Sequence, residues 1–167
     1  VKVANVYDVI LIDCPPSLGS LTLNAFVAAD GLLVPIQCEY YALEGIATVN
    51  RLIEQVRGGG DNPDLHIFGI VMTMYDGRTR LSQQVLDEVR AHFADLIFDT
   101  TIPRATRLAE APSFGQPALY YDPDGFGTAA YDVLAVEVLQ RLQTVAQPAN
   151  VLDAASLQPP EPVQNQA

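Results

Sequence analysis

At 167 residues the chain is the size of a single domain, and 49% apolar against 17% charged residues supplies a core and excludes global disorder. The formal net charge of −11, from 20 acidic and 9 basic residues, excludes a surface coated in positive charge for nucleic acid, although it leaves room for a local basic patch. No apolar run reaches the roughly 18 residues that a membrane-spanning helix needs. Cys14 and Cys38 make neither a disulfide framework nor a zinc-ligand spacing, which points to reducing cytosol.

Residues 7–13 form a short apolar run ending in Asp13, of the kind expected for a strand buried on both faces, and Pro15 and Pro16 cannot continue it. Helix formers over 18–29 follow Ser17, and residues 31–36 read as a second buried strand. The apolar spacing of Leu43, Ile46, Ala47, Val49, Leu52, Ile53 and Val56 predicts a helix over 43–57, broken by Gly58-Gly59-Gly60. Strand 67–73, helix 81–93 and strand 97–102 come next, the last stopped by Pro103. Residues 113–127 read as loop. A closing helix over 128–145 is expected to turn Tyr131, Leu134, Ala135, Val138, Leu139 and Leu142 inward. Residues 147–167 shift to Pro, Gln, Asn and Ala without periodicity and read as a disordered tail behind a domain at 1–146.

Strand and helix alternate four times, the pattern of an α/β fold with a largely parallel sheet flanked by helices. Ligands of such sheets sit beyond the carboxyl ends of the strands, so the loops after Asp13, Ile36, Thr73 and Ile102 should share one rim. Val9-Ile10-Leu11-Ile12-Asp13 resembles a Walker B strand, in which a rigidly held carboxylate orients a Mg²⁺-bound water beside a phosphate. By itself the pattern is better served by an acid that merely ends a strand. The stiff Cys14-Pro15-Pro16-Ser17 turn sharpens it.

Four separated segments, residues 7–19, 37–45, 73–79 and 102–113, together resemble the ParA/Soj family of chromosome- and plasmid-partitioning ATPases. The resemblance implies a P-loop NTPase-like fold of the deviant Walker A type, ATP and Mg²⁺ as cofactors, and a homodimer sandwiching the nucleotide. It further implies nonspecific DNA binding, a centromere-binding partition protein as partner, and a cytoplasmic, nucleoid-associated protein. The family's phosphate loop, Lys-Gly-Gly-x-Gly-Lys-Thr-Thr, has no counterpart: the chain holds no Gly-Lys pair, and Lys2 is its single lysine. Such loops aim backbone N–H groups and a lysine at the phosphates. Gly58-Gly59-Gly60 ends a helix and has no lysine after it. The start at Val1 therefore reads as a fragment lacking about 90 to 100 upstream residues, incomplete at its N-terminus, poorly soluble or loosely packed, and unable to hydrolyse ATP alone.

By the resemblance, Asp13 is the Walker B acid, acting in catalysis and on Mg²⁺ through water. Pro15, Pro16, Ser17 and Gly19 form a switch-like loop responding to the γ-phosphate, Pro15 beside the nucleotide. Glu39 lies near the nucleotide and the dimer interface, or is a plain solvated acid. Met72, Pro103 and Arg104 line the adenine pocket, with core packing the competing reading for Met72. Arg78, Arg80 and Arg107 are DNA-phosphate contacts, bidentate and sequence-blind, against ordinary surface arginines. Tyr40 and Tyr41 read as packing residues, Cys14 as a small buried one, and His66 and His92 carry no role. The tail has no Lys or Arg and so lacks the signature of a basic membrane-binding helix. Two readings stand: a partitioning ATPase, or a P-loop-less fragment or pseudo-enzyme that acts only as an interaction module.

Overall fold

A computed structural model describes residues 6–15, 17 and 19–145. Helix α1 (Ser20–Ala28) leads into strand β1 (Gly31–Gln37), helix α2 (Ala42–Gly59), strand β2 (His66–Tyr75), helix α3 (Arg80–His92) and strand β3 (Ile97–Pro103). Two short helices, α4 (Thr106–Glu110) and α5 (Ala118–Tyr121), flank a 3₁₀ turn at Ala111–Phe114, and α6 (Phe126–Val145) closes the described chain. The three strands are parallel in the order β1-β2-β3. The expected fold class stands: a parallel sheet flanked by helices.

Local chemistry sets the element ends. Thr79 caps α3, its hydroxyl accepting from the Ser82 N–H at 3.3 Å. Gly60 ends α2 in the left-handed region at φ 79°, where a side chain would be strained. Asn62 donates to the carbonyls of Phe26 and Ala29 at 2.9 and 2.8 Å and so pins the end of α1 to the loop after α2.

One face of the sheet is fully packed. Val34, Ile36 and Cys38, with Ile70, Met72 and Ile97, meet Phe26 of α1, Ile46, Ile53 and Val56 of α2, and Val85, Leu86 and Val89 of α3. The opposite face holds a smaller cluster of Val71, Phe98, Ile102 and Leu134, with Phe68, Leu108, Ala130 and Val138 against it. Gly69 permits this second face to close, because a Cβ there would lie 2.3 Å from the Phe98 ring and 2.9 Å from Arg141 Nη1.

Four expectations need correction. The apolar run at residues 7–13 forms no strand among the described residues, and Val9, Ile10, Leu11 and Ile12 are exposed. A strand exists only through a neighbour that takes its backbone hydrogen bonds, and no strand of the sheet pairs with this run. Second, β1 is buried on one face only: Val34 and Ile36 point into the core while Leu33, Pro35 and Gln37 are exposed, because α6 lies along β3 rather than β1. Third, α6 turns Leu134 inward with Val138 against the cluster, whereas Tyr131, Ala135 and Leu139 are exposed. Fourth, the stretch 113–127 is not plain loop but carries α5 and part of the 3₁₀ turn. The expected tail at 147–167 and Pro16 lie outside the described residues.

Candidate functional site

The carboxyl ends of three parallel strands must lie along one edge of the sheet, and the loops that leave them carry the unusual residues. After β1 come Cys38, Glu39, Tyr40 and Tyr41. After β2 comes a turn from Asp76 to Thr79, and after β3 come Arg104 and Ala105. Hydrogen bonds tie the three strand ends together. The Cys38 N–H donates to Thr73 O at 2.9 Å, and the Thr73 hydroxyl donates to Ile36 O at 3.2 Å. Arg104 reaches both neighbours: its N–H donates to Tyr75 O at 2.9 Å, while Nη2 donates to Glu39 Oε1 at 2.9 Å. That ion pair links the loop after β1 to the loop after β3 across the end of β2.

Below the tie, on the α6 side of the sheet, lies a cleft of about 330 Å³ lined by Pro35, Gln37, Thr73, Met74, Ile102, Pro103, Ala105, Leu108, Ala109 and Tyr131. Met74 is the one described non-glycine residue with positive φ, at 54°. Strand alternation would put Met74 on the same side as the buried Met72, but the left-handed backbone turns it into the cleft wall. A second hollow of about 210 Å³ adjoins it beside Glu39, Tyr41 and Gly45.

The turn after β2 is braced by Asp76. Its carboxylate accepts from Arg78 three times, from the backbone N–H at 3.1 Å, Nε at 2.9 Å and Nη2 at 2.7 Å. These bonds, followed by the charge of Arg78, hold the Asp76 carboxyl down at about 2. Arg107 of α4 donates to the Tyr121 hydroxyl at 3.2 Å, pairs with Glu110 at 3.5 Å and stacks over the Tyr121 ring at 5.6 Å. Arg80 is exposed at the first position of α3.

The structure therefore gathers part of the expected site. Glu39, Pro103 and Arg104 meet at the rim, and Arg78, Arg80 and Arg107 sit on the loops and helix starts that leave it. Met72 does not line the cleft; it is fully buried under α2 and α3. Asp13 and Pro15 are exposed on a segment that the sheet does not include. Tyr40 and Tyr41 pack edge-to-face on each other at 5.2 Å and are otherwise exposed, so they do not serve the core. Cys14 is half-buried, whereas burial pushes the Cys38 thiol up to about 11. His66 and His92 bond only to nearby backbone carbonyls among the described residues. Thr73 and Met74, at the strand end whose loop the resemblance put beside the adenine, do line the cleft, whereas Gln37 and Tyr131 are cleft residues that sequence reading missed. Gln37 had a usable signal, since it stands at a strand end facing away from the core side.

Against a purine nucleotide with Mg²⁺, the donor set fits at one end. The cleft offers flat apolar walls from Pro35, Pro103 and Leu108 with strand-end backbone groups beside them, suited to a base. No group of three or more His, Cys, Asp or Glu side chains comes together among the described residues to hold a metal, and the sequence has no Gly-Lys pair for phosphates.

A family model described as an AAA domain matches residues 1–67. The chromosome partitioning protein ParA of Caulobacter vibrioides is 56% identical over 135 residues, covering 81% of this chain and 50% of the relative. The chromosome-partitioning ATPase Soj of Thermus thermophilus is 55% identical over 137 residues, covering 82% of this chain and 55% of the relative. Over this span the chain is a ParA/Soj-family sequence. It spans about half the length of these relatives. Among solved structures, cobyrinic acid a,c-diamide synthase from Mycobacterium smegmatis with bound ATP analogue and magnesium superposes with TM-score 0.65 at 34% identity. That match covers 86% of this chain and 51% of the synthase. The ParA/Soj match embraces every loop that leaves the rim. No described helix is long and apolar enough to cross a membrane.

Proposed function

We propose that the chain is the rim-bearing portion, residues 1–146, of a ParA/Soj-type partitioning ATPase. In that protein ATP and Mg²⁺ drive a sandwich homodimer that binds DNA nonspecifically. A centromere-binding partner then stimulates hydrolysis, in the cytoplasm and on the nucleoid. The observation that carries this reading is the 56% identity over 135 residues to a chromosome partitioning protein. Within it, the Pro103–Tyr131 cleft takes the base, Glu39 and Arg104 hold its mouth, and Asp13 serves Mg²⁺ through water. Arg78, Arg80 and Arg107 contact DNA phosphates.

By itself the 167-residue chain does not hydrolyse ATP, because it contains no lysine-bearing phosphate loop. The test is titration of a fluorescent ATP analogue with Mg²⁺ against the chain alone, and against the chain fused behind the phosphate-loop segment of a ParA relative. Binding and turnover only in the fusion are expected. Micromolar binding by the chain alone overturns the assignment of phosphate binding to the missing motif. The absence of a Gly-Lys pair also supports a second reading, an interaction module without nucleotide chemistry; a fusion that neither binds nor turns over ATP favours it.

A further inference from the structure

All three ion pairs among the described residues hold arginines of the rim: Arg78 with Asp76, Arg104 with Glu39 and Arg107 with Glu110. Arginines elsewhere bond to neutral oxygens. Arg51 donates to the Thr48 hydroxyl, Arg57 to Pro63 O, Arg90 to Asp99 O, and Arg141 to three backbone carbonyls. Two of the three pairs thus sit on guanidinium groups of the proposed DNA side, Arg78 and Arg107, and the third closes the cleft mouth.

We propose that Asp76 and Glu110 are built-in competitors for nucleic-acid phosphates, occupying the guanidinium edges of Arg78 and Arg107 that a DNA backbone would take. The inference rests on the DNA-contact reading above. Asp76 takes Nε and Nη2 together, the fork edge that matches a phosphate bidentately. It holds that edge at the surface, for the Arg78 side chain is 89% exposed and a ligand reaches it without moving the fold. Glu110 is doubly placed, pairing Arg107 directly and accepting from the Tyr121 hydroxyl, at 3.0 Å, that in turn accepts from Arg107. A phosphate arriving at either arginine meets a like charge already seated there. Either the carboxylate leaves or the phosphate binds weakly. Protons do not release Asp76 near neutrality, since its carboxyl titrates at about 2; only another anion does. On a chain of net charge −11, the arrangement keeps a single copy's affinity for DNA low.

The test is binding of a short fluorescent duplex of unrelated sequence to the full chain at low salt, with circular dichroism checking that each variant is folded. Asp76→Asn and Glu110→Gln keep an oxygen acceptor and remove the charge. Each is expected to tighten binding about two- to fivefold, the range of exposed ion pairs, and the gain should fade as salt rises. Adding Arg78→Ala to Asp76→Asn, or Arg107→Ala to Glu110→Gln, should erase it. Glu54→Gln on α2 makes the same change in net charge away from the rim and should do little. An equal gain from Glu54→Gln, or no gain from the rim amides while the arginine variants weaken binding, overturns the competition and leaves the DNA reading standing. No binding by any variant shows that removing the carboxylate charge does not open the arginines and overturns the competition, leaving DNA binding to the ATP-driven dimer; measurable binding that the arginine variants leave unchanged overturns both. Tightening toward anionic phosphatidylglycerol vesicles but not toward DNA overturns both as well.

Discussion

Met72 and Met74 stand two positions apart on one strand, yet one is sealed in the core and the other walls the cleft. Period-two alternation, the only rule a sequence offers here, treats them alike; the positive φ of Met74 is what separates them, and no residue type announces it. Met74→Val should therefore destabilise the fold by about 1–2 kcal/mol, since a β-branched residue resists that backbone, while Met74→Gly should recover most of the loss. Urea unfolding of the two variants measures the difference. Asp76 gives a prediction in pH. Its carboxyl falls from the ordinary 3.8 to about 2 in the fold, so the stabilisation it contributes is complete above 3.8 and is lost as pH falls toward 2. Melting temperatures followed across that window should drop less for Asp76→Asn than for the parent chain.

Among the elements, α6 is held by an i,i+4 pair of charged side chains whose partners are backbone atoms. Glu137 accepts from the N–H groups of Asp99 and Thr100 at 2.7 and 3.0 Å, taking hydrogen bonds that a further strand would have used. Burial pushes its carboxyl up, but those bonds outweigh it and keep the group below the usual range. Arg141 donates to Leu96 O at 2.7 Å, Ile97 O at 3.2 Å and Phe68 O at 3.3 Å, and lies over the Phe98 ring at 3.9 Å. Burial lowers the Arg141 pKa but leaves it a cation. Arg141→Met should cost about 1–3 kcal/mol, the value of hydrogen bonds from a charged donor, and loosen α6 in hydrogen exchange before the β1–β2 half. Exchange that slows or accelerates evenly over the chain would contradict this. The helix was legible at residues 128–145 because its apolar spacing is regular. Its anchoring was not, because the partners of Glu137 and Arg141 lie 37 to 73 residues away. Similarly, the strands at 31–36 and 67–73 were readable from apolar runs, and 97–102 from its β-formers stopped by Pro103, each within a residue or two of the observed ends. The helix at Thr106–Glu110 passed unread, as five residues are too few for periodicity to register.

For the whole molecule, alternation of strand and helix was enough for the fold class, and the quoted rim segments for the family. What alternation could not tell is which apolar runs find neighbours: residues 7–13 satisfy every local criterion of a buried strand and remain unpaired. That run, with Leu11 81% exposed, and β1, which leaves Leu33 and Pro35 uncovered on one face, both present apolar surface to solvent. Exposed apolar surface of this kind drives association. Sedimentation of the chain should show concentration-dependent self-association, and Leu11→Asp should reduce it without altering the far-ultraviolet dichroism. The tie at Arg104 works at the same scale in the opposite sense. Because one residue grips the loop after β2 by its backbone and the loop after β1 by its side chain, the three strand ends form a single mechanical linkage. Anything wedged into the cleft mouth strains all three strand ends together, so the work of opening is shared with the arginine-bearing turns, and occupancy of the cleft is felt there as stiffness.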